Sequence, residues 1–151
     1  MPADSDLALP RRWRPLGTRL AGWFFGGLFL LVSVVMWMSL GEARKHIAQR
    51  DVNLLLGCAV ALLICLHALM RCRVDASERG VTVVNGYRRR DLEWAEVVAI
   101  TMPPGAPWAV LDLADGRTAS AMGIQASDGD RARAHVRDLR ALIEAHQPGG
   151  H

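Results

Sequence analysis

Arg88, Arg89 and Arg90 stand consecutively in "NGYRRRDLEWAEV", residues 85–97, directly after a tight-turn signal. Guanidinium groups bind carboxylate and phosphate oxygens through rigid, forked N–H donors, so the chemistry on offer is contact with an anion. On a strand, side chains alternate between faces, which puts Arg88 and Arg90 on one side and Arg89 on the other. Arg88 and Arg90 are therefore the pair able to converge on one ligand. Asp91 and Glu93 follow at once and offer local ion-pair partners. Three readings stay open at this point: a solvated hairpin face, contact with anionic lipid headgroups, or a specific ligand pocket.

The remaining reactive residues point away from catalysis. No Ser, His and Asp fall in a nucleophile motif, and there is neither a glycine-rich phosphate loop nor an H-E-x-x-H pair. His135 and His146 lie eleven residues apart on an expected helix, about 16 Å, which is too far to share a metal. Asp128 and Asp130 flank a glycine without the twelve-residue calcium pattern, so helix capping explains them. No enzyme, cofactor or metal is expected. Cys58, Cys65 and Cys72 recur every seven residues, near one stripe of a helix, and read as packing residues rather than a disulfide framework.

These groups have to be positioned by elements, and two apolar runs dominate. Leu20 to Leu40 carries no charge, and Val52 to Met70 has only Asn53 and His67 as strongly polar members. About twenty residues cross a hydrocarbon core of roughly 30 Å, so each run is long enough to span. A soluble helix apolar on every side would need a larger domain to cover it than this chain of 151 residues supplies. The first run is far longer than a signal-peptide core and reads as a signal anchor. His67 lies one turn before Arg71 and reads as an interfacial residue.

Charge sets the orientation. Residues 1–70 hold seven Lys plus Arg against four acids, and the rest holds eleven against eleven, so the net +3 belongs to the first half. That excess flanks apolar runs, which argues for membrane orientation and against a nucleic-acid partner. Arg11, Arg12, Arg14 and Arg19 precede the first run; Arg71, Arg73 and Arg79 follow the second; Arg44, Lys45 and Arg50 stand in the connector. The bias favours both termini on the cytoplasmic side of a multi-pass cell-membrane protein. Trp23 and Trp37, near opposite ends of the first run, suit an aromatic belt.

Where the two runs meet, small residues should pack, because lipid supplies no hydrophobic drive between helices. Gly22 and Gly26 lie four apart on the first run, and Ala61, Cys65 and Ala68 form a small-residue stripe at matching depth on the second. An intramolecular helix hairpin is expected there, although the same glycines suit a homodimer face, and the oligomeric state stays open.

After Met70 the period changes to that of strands. "RCRVDA" alternates and ends in the turn "SERG", "VTVV" meets Asn85-Gly86, "WAEVVAITM" stops at "PPGAP", and "WAVLDL" joins "RTASAM" through Ala114-Asp115-Gly116. Ala132, Val136, Leu139 and Ile143 then mark an amphipathic helix, with Ser127 or Asp128 available as its cap and "QPGG" ending it. About six antiparallel strands need one face covered, and the terminal helix is the element available.

These residues also resemble a family. The two runs followed by "RVDASERGVTVVN", Leu92, Trp94 and Val97, the "DGR" of Asp115 to Arg117 and a closing "DGDRARAHVRDLRALI" are similar to the actinobacterial membrane proteins of the low molecular weight protein antigen 6 type, which carry a bacterial PH-like domain. The resemblance implies a PH-like fold and no enzyme activity. PH relatives hold phosphoinositides with basic residues around the first hairpin, but a two-residue turn leaves no long loop here to wrap a headgroup.

The expected architecture is an α+β membrane protein: a basic segment 1–19, transmembrane helices 20–40 and 52–70 around a short extracytoplasmic connector 41–51, a cytoplasmic PH-like β-barrel or sandwich with a C-terminal helix over 71–146, and a tail 147–151. The expected function is a non-enzymatic module docking a protein or anionic lipid at the cytoplasmic face, with Arg88 and Arg90 as its lipid contacts. The alternative is a small accessory subunit of a larger membrane complex. The partners implied are the bilayer and a membrane or cytoplasmic protein.

Overall fold

The computed structural model describes residues 9–147. The outer parts of the expected basic segment and tail, residues 1–8 and 148–151, lie outside the described residues. Contacts divide the chain into two compact units, one of Thr18–Met70 and the other of the residues up to Gly17 together with those from Arg71 onward.

The first unit is a helix pair. Helix α1 (Leu16–Ser39) and helix α2 (Gln49–Arg71) have 24 and 23 residues, and at 1.5 Å per residue each is about 35 Å long. Both are long and apolar enough to cross a membrane. A 3₁₀ segment, Gly41–His46, lies between them. A Cβ added to Gly22 would meet Met70 Sδ at 2.6 Å, and one on Gly26 would meet Leu66 Cδ1 at 3.8 Å. As the α1 position advances by four, the α2 partner falls by four, so the helices are antiparallel.

The side of α2 that meets α1 differs from the small-residue stripe. Ala59, Leu63, Leu66 and Met70 are partly covered, whereas Ala61 and Cys65 are exposed and only Ala68 of the expected stripe is partly covered. The physical reason is steric economy. Two glycines one turn apart already open a groove in α1, and it accepts the long Leu66 and Met70 side chains, so α2 needs no small residues opposite.

The second unit is a pair of antiparallel sheets closed by a helix. Strands β1 (Arg11–Trp13), β2 (Arg73–Ser77), β3 (Gly80–Asn85) and β4 (Arg88–Glu93) form one sheet in sequence order. Strands β5 (Val97–Thr101), β6 (Trp108–Leu113) and β7 (Thr118–Gln125) form the other. Helix α3 (Asp130–His146) follows. Strand β1 is an addition to the expected six. It comes from the basic segment before α1, pairs Trp13 with Val74, and buries Trp13 to 4% exposure. Residues 11–13 thus belong to the sheet as well as to the charged flank.

Alternation explains the core. Val74 and Ala76 of β2, Val81 and Val83 of β3, and Leu111 of β6 point inward. Ala132, Val136, Leu139, Leu142 and Ile143 of α3 join the same core, packing over β5 and β7. Burying a Leu or Ile side chain contributes about 1.5–3 kcal/mol, and the helix commits three of them. Trp94 donates its Nε1–H to Ser77 O at 3.0 Å and stacks on His146 with ring centroids 4.3 Å apart.

The two sheets meet along β7. A Cβ on Gly123 would fall 2.4 Å from Arg73 C, so only glycine lets β7 cross β2 this closely. Asn85 fixes the same crossing from β3. Its Nδ2 donates to Ser120 O at 2.6 Å, and its Oδ1 accepts from Met122 N at 3.1 Å.

Two expected local devices take other forms. The β3–β4 turn consists of Gly86 and Tyr87, because Asn85 pairs with Arg88, and Gly86 alone takes positive φ, +63°. A single positive φ at the first turn residue is the pattern of a type II′ turn. Helix α3 begins from Gly129 with no side-chain cap. Asp128 instead accepts from Leu16 N at 3.0 Å and Gly17 N at 2.9 Å, satisfying two of the unpaired donors in the first turn of α1.

The outer edge of β5 is sealed by side chains. Arg140 Nη2 donates to Ile100 O at 3.1 Å, and Gln147 Nε2 donates to Val98 O at 2.8 Å. Carbonyls that would otherwise template another strand are occupied.

Candidate functional site

The tip of the β3–β4 hairpin gathers the residues best suited to an anionic surface. Leu92 is buried, and period two carries its face back through Arg90 to Arg88. Arg88 is exposed and Arg90 half-buried. Neither forms an ion pair among the described residues. Arg89 points the other way and forks onto Asp91, with Nη2 to Oδ1 at 2.9 Å and Nε to Oδ2 at 3.0 Å. That guanidinium, with a hydrogen bond of 2.5 Å from Thr82 Oγ1, holds the Asp91 carboxyl below the usual carboxylate range. Local pairing therefore absorbs the middle arginine of the three and leaves Arg88 and Arg90 on the other face.

The tip is anchored beside the end of α2. Gly86 N donates to the Cys72 sulfur at 3.3 Å, and Cys72 is 1% exposed. Arg71, the last residue of α2, places its guanidinium carbon 5.2 Å from the Tyr87 ring centroid. A cation over an aromatic face is attracted by the ring quadrupole. Tyr87 and Arg71 are both exposed, so an aromatic ring and a guanidinium group meet at the last residue of α2, and the exposed Arg88 follows Tyr87 in the chain. Cys72 acquires a definite task as the acceptor that seats the turn.

Of the residues singled out from sequence, Arg88 and Arg90 share a face here. Gly22 and Gly26 line the helix pair, with Ala68 at its margin and Ala61 and Cys65 outside it. His135 stands 6.5 Å from Trp13, and His146 lies on Trp94, so the two histidines serve separate packing sites. Asp128 and Asp130 are engaged with the α1 start and with Arg133. Among the described residues no His, Cys, Asp and Glu group is arranged to hold a metal. Tyr87 escaped the sequence reading, and Arg71 entered it only as part of the charged flank. The one available signal was that the chain's sole tyrosine sits in a turn.

Comparison with known proteins agrees with this architecture. The bacterial PH domain family matches residues 71–142. An uncharacterized protein of Mycobacterium bovis, and counterparts in two strains of Mycobacterium tuberculosis, are each 30% identical over 147 residues. The alignments cover 97% of this chain and 94% of each relative, both apolar helices included. No solved structure is significantly similar. Paired antiparallel sheets, a covering C-terminal helix and relatives matched along almost their whole length lead to one conclusion: the chain belongs to the bacterial PH domain family.

Proposed function

We propose that the chain is a non-enzymatic, membrane-anchored interaction module. Helices α1 and α2 span the membrane, both termini are cytoplasmic, and the PH-like unit docks a protein or anionic lipid at that face. The observation that carries this reading is the contact of Arg71 with Tyr87 at the residue where α2 ends, with the exposed Arg88 next along the hairpin. Tyrosine and arginine are the side chains that settle at a membrane–water boundary, the ring in the headgroup region and the guanidinium on phosphate. Each arginine near an anionic leaflet contributes roughly 1 kcal/mol, less at high salt.

Strand pairing supports a shared side for the two helix ends. β1 precedes α1, β2 follows α2, and the two are hydrogen-bonded neighbours in one sheet. A sheet cannot straddle a bilayer, so the chain enters α1 and leaves α2 on the same side. The arginine-rich flanks make that side cytoplasmic.

The test places an environment-sensitive fluorophore at the hairpin tip of the full chain. Tyr87→Cys is labelled in a background of Cys58→Ala, Cys65→Ala and Cys72→Ser, the serine retaining an acceptor for Gly86. In nanodiscs, headgroup-depth quenchers should reach the label, and more so when the lipid is anionic than zwitterionic. Arg88→Ser with Arg90→Ser should abolish that lipid dependence. A label that stays in bulk water with every lipid would overturn the reading.

A further inference from the structure

A second basic feature lies away from the hairpin tip, on α3. Arg133, Arg137 and Arg140 recur at four and three residues, on the flank of the helix beside its buried stripe. They line one wall of an open groove of about 390 Å³ whose other wall is the proline turn after β5. Met102, Pro104 and Val136 supply apolar lining, and no acidic residue lines it. The proline turn is fixed by Ala106 N donating to Pro103 O at 3.0 Å.

We infer that this groove docks an acidic peptide segment of a partner protein, with its carboxylates on Arg133, Arg137 and Arg140 and its apolar side chains against Met102, Pro104 and Val136. The inference rests on the proposed interaction module and names the chemistry of its partner.

Spacing selects the ligand. At 1.5 Å per residue the three arginines are spread over about 10.5 Å along the helix, wide for a single phosphate group. An extended peptide returns a side chain to the same face every 6.6–6.8 Å or so, near the roughly 6 Å from Arg133 to Arg137. Prior commitments agree. Arg140 already spends one N–H on Ile100 O, and Arg133 holds Asp130 at 2.9 Å. Arg137 forms no ion pair among the described residues and is the central donor. The Arg133–Asp130 pair is 72% and 95% exposed, so it contributes little to stability and exchanges readily for a ligand carboxylate. Strand addition at β5 is blocked by Arg140 and Gln147, so recognition has to run through side chains.

The full chain in zwitterionic nanodiscs is titrated against a short fluorescein-labelled peptide alternating glutamate with leucine, read by anisotropy. The parent should bind, more weakly as salt rises. Arg137→Gln should weaken binding about tenfold, the loss typical of one charge-assisted hydrogen bond, while Arg88→Ser with Arg90→Ser should not. Unchanged melting of Arg137→Gln excludes a folding defect. Equal binding by parent and Arg137→Gln, no binding at low salt, or equal binding of a lysine–leucine peptide overturns the proposal. Binding of short-chain phosphatidylglycerol that Arg137→Gln weakens, with no binding of the peptide, would make it a lipid site and also overturn it. None of these outcomes depends on the fluorophore result at position 87, so the docking module and its peptide groove can fail separately.

Discussion

Replacing Asn85 by glycine separates two accounts of why asparagine precedes Gly86. If its value lay in turn propensity, glycine would serve as well, since it adopts any turn conformation. In the structure Asn85 is a paired strand residue with negative φ, and its amide joins two backbone groups of β7. Asn85→Gly therefore removes two hydrogen bonds and leaves the partly buried Ser120 carbonyl and Met122 N–H unsatisfied. Each net bond is worth about 1 kcal/mol, and each stranded group costs about 1–3 kcal/mol where water cannot reach it. Partial exposure of the site discounts the second contribution, and about 3 kcal/mol in total is expected. For a unit of this size that corresponds to a Tm lower by roughly 12–24 °C. The assay is thermal unfolding of the full chain in detergent, followed by tryptophan fluorescence, to which the buried Trp13 and Trp94 contribute. Asn85→Asp should lie between, because it keeps an acceptor for Met122 N and turns a carboxylate oxygen toward Ser120 O. A Tm for Asn85→Gly within a degree or two of the parent would refute the clamp.

Gly22→Ala should lower the yield of folded, detergent-extracted chain, because its Cβ would fall 2.6 Å from Met70 Sδ. Gly26→Ala should be neutral or better, since its nearest neighbour is at 3.8 Å and alanine is the stronger helix former; Met70→Ala added to Gly22→Ala should restore the yield, and equal losses at the two glycines would refute the packing. His135 is half-buried beside Trp13, and burial, with the nearby charge of Arg131, lowers its pKa below 6.5, partly opposed by Asp138 and Asp128. The unfolded chain then binds the extra proton first, so stability present above pH 6.5 is lost as pH falls below it. Melting of His135→Gln compared with the parent at pH 7.5 and pH 5.0 should show a smaller drop for the variant, and identical drops would count against the assignment.

Most of the sheet and the covering helix were legible because period two and period 3.6 are strong signals in the second half. Ala132, Val136, Leu139 and Ile143 are buried where the spacing puts them. Strand β1 was not legible, since "RRW" is too short to alternate and its arginines already had a reading as a charged flank. Asn85 was read through its local neighbour Gly86, whereas its partners are 35 and 37 residues away. The α3 arginines lie between the apolar positions of an amphipathic helix, a spacing that names no site, and only the placement of the proline turn gives them a wall. The α2 stripe was chosen by residue size, but fit depends on what stands opposite.

The pairing of β1 with β2 has a consequence for the order of events during synthesis. Trp13 and Val74 are partners 61 residues apart in sequence (74 minus 13). At about 5–20 residues per second the first strand therefore waits roughly 3–12 s before its neighbour exists. During that wait both apolar helices are made, and Trp13 has no core to enter. The sheet is completed only when the chain returns from the helix pair, so both apolar helices are made before the PH-like unit can be finished. A fragment cut at residue 71, where the family match begins, would lack both this strand and its tryptophan.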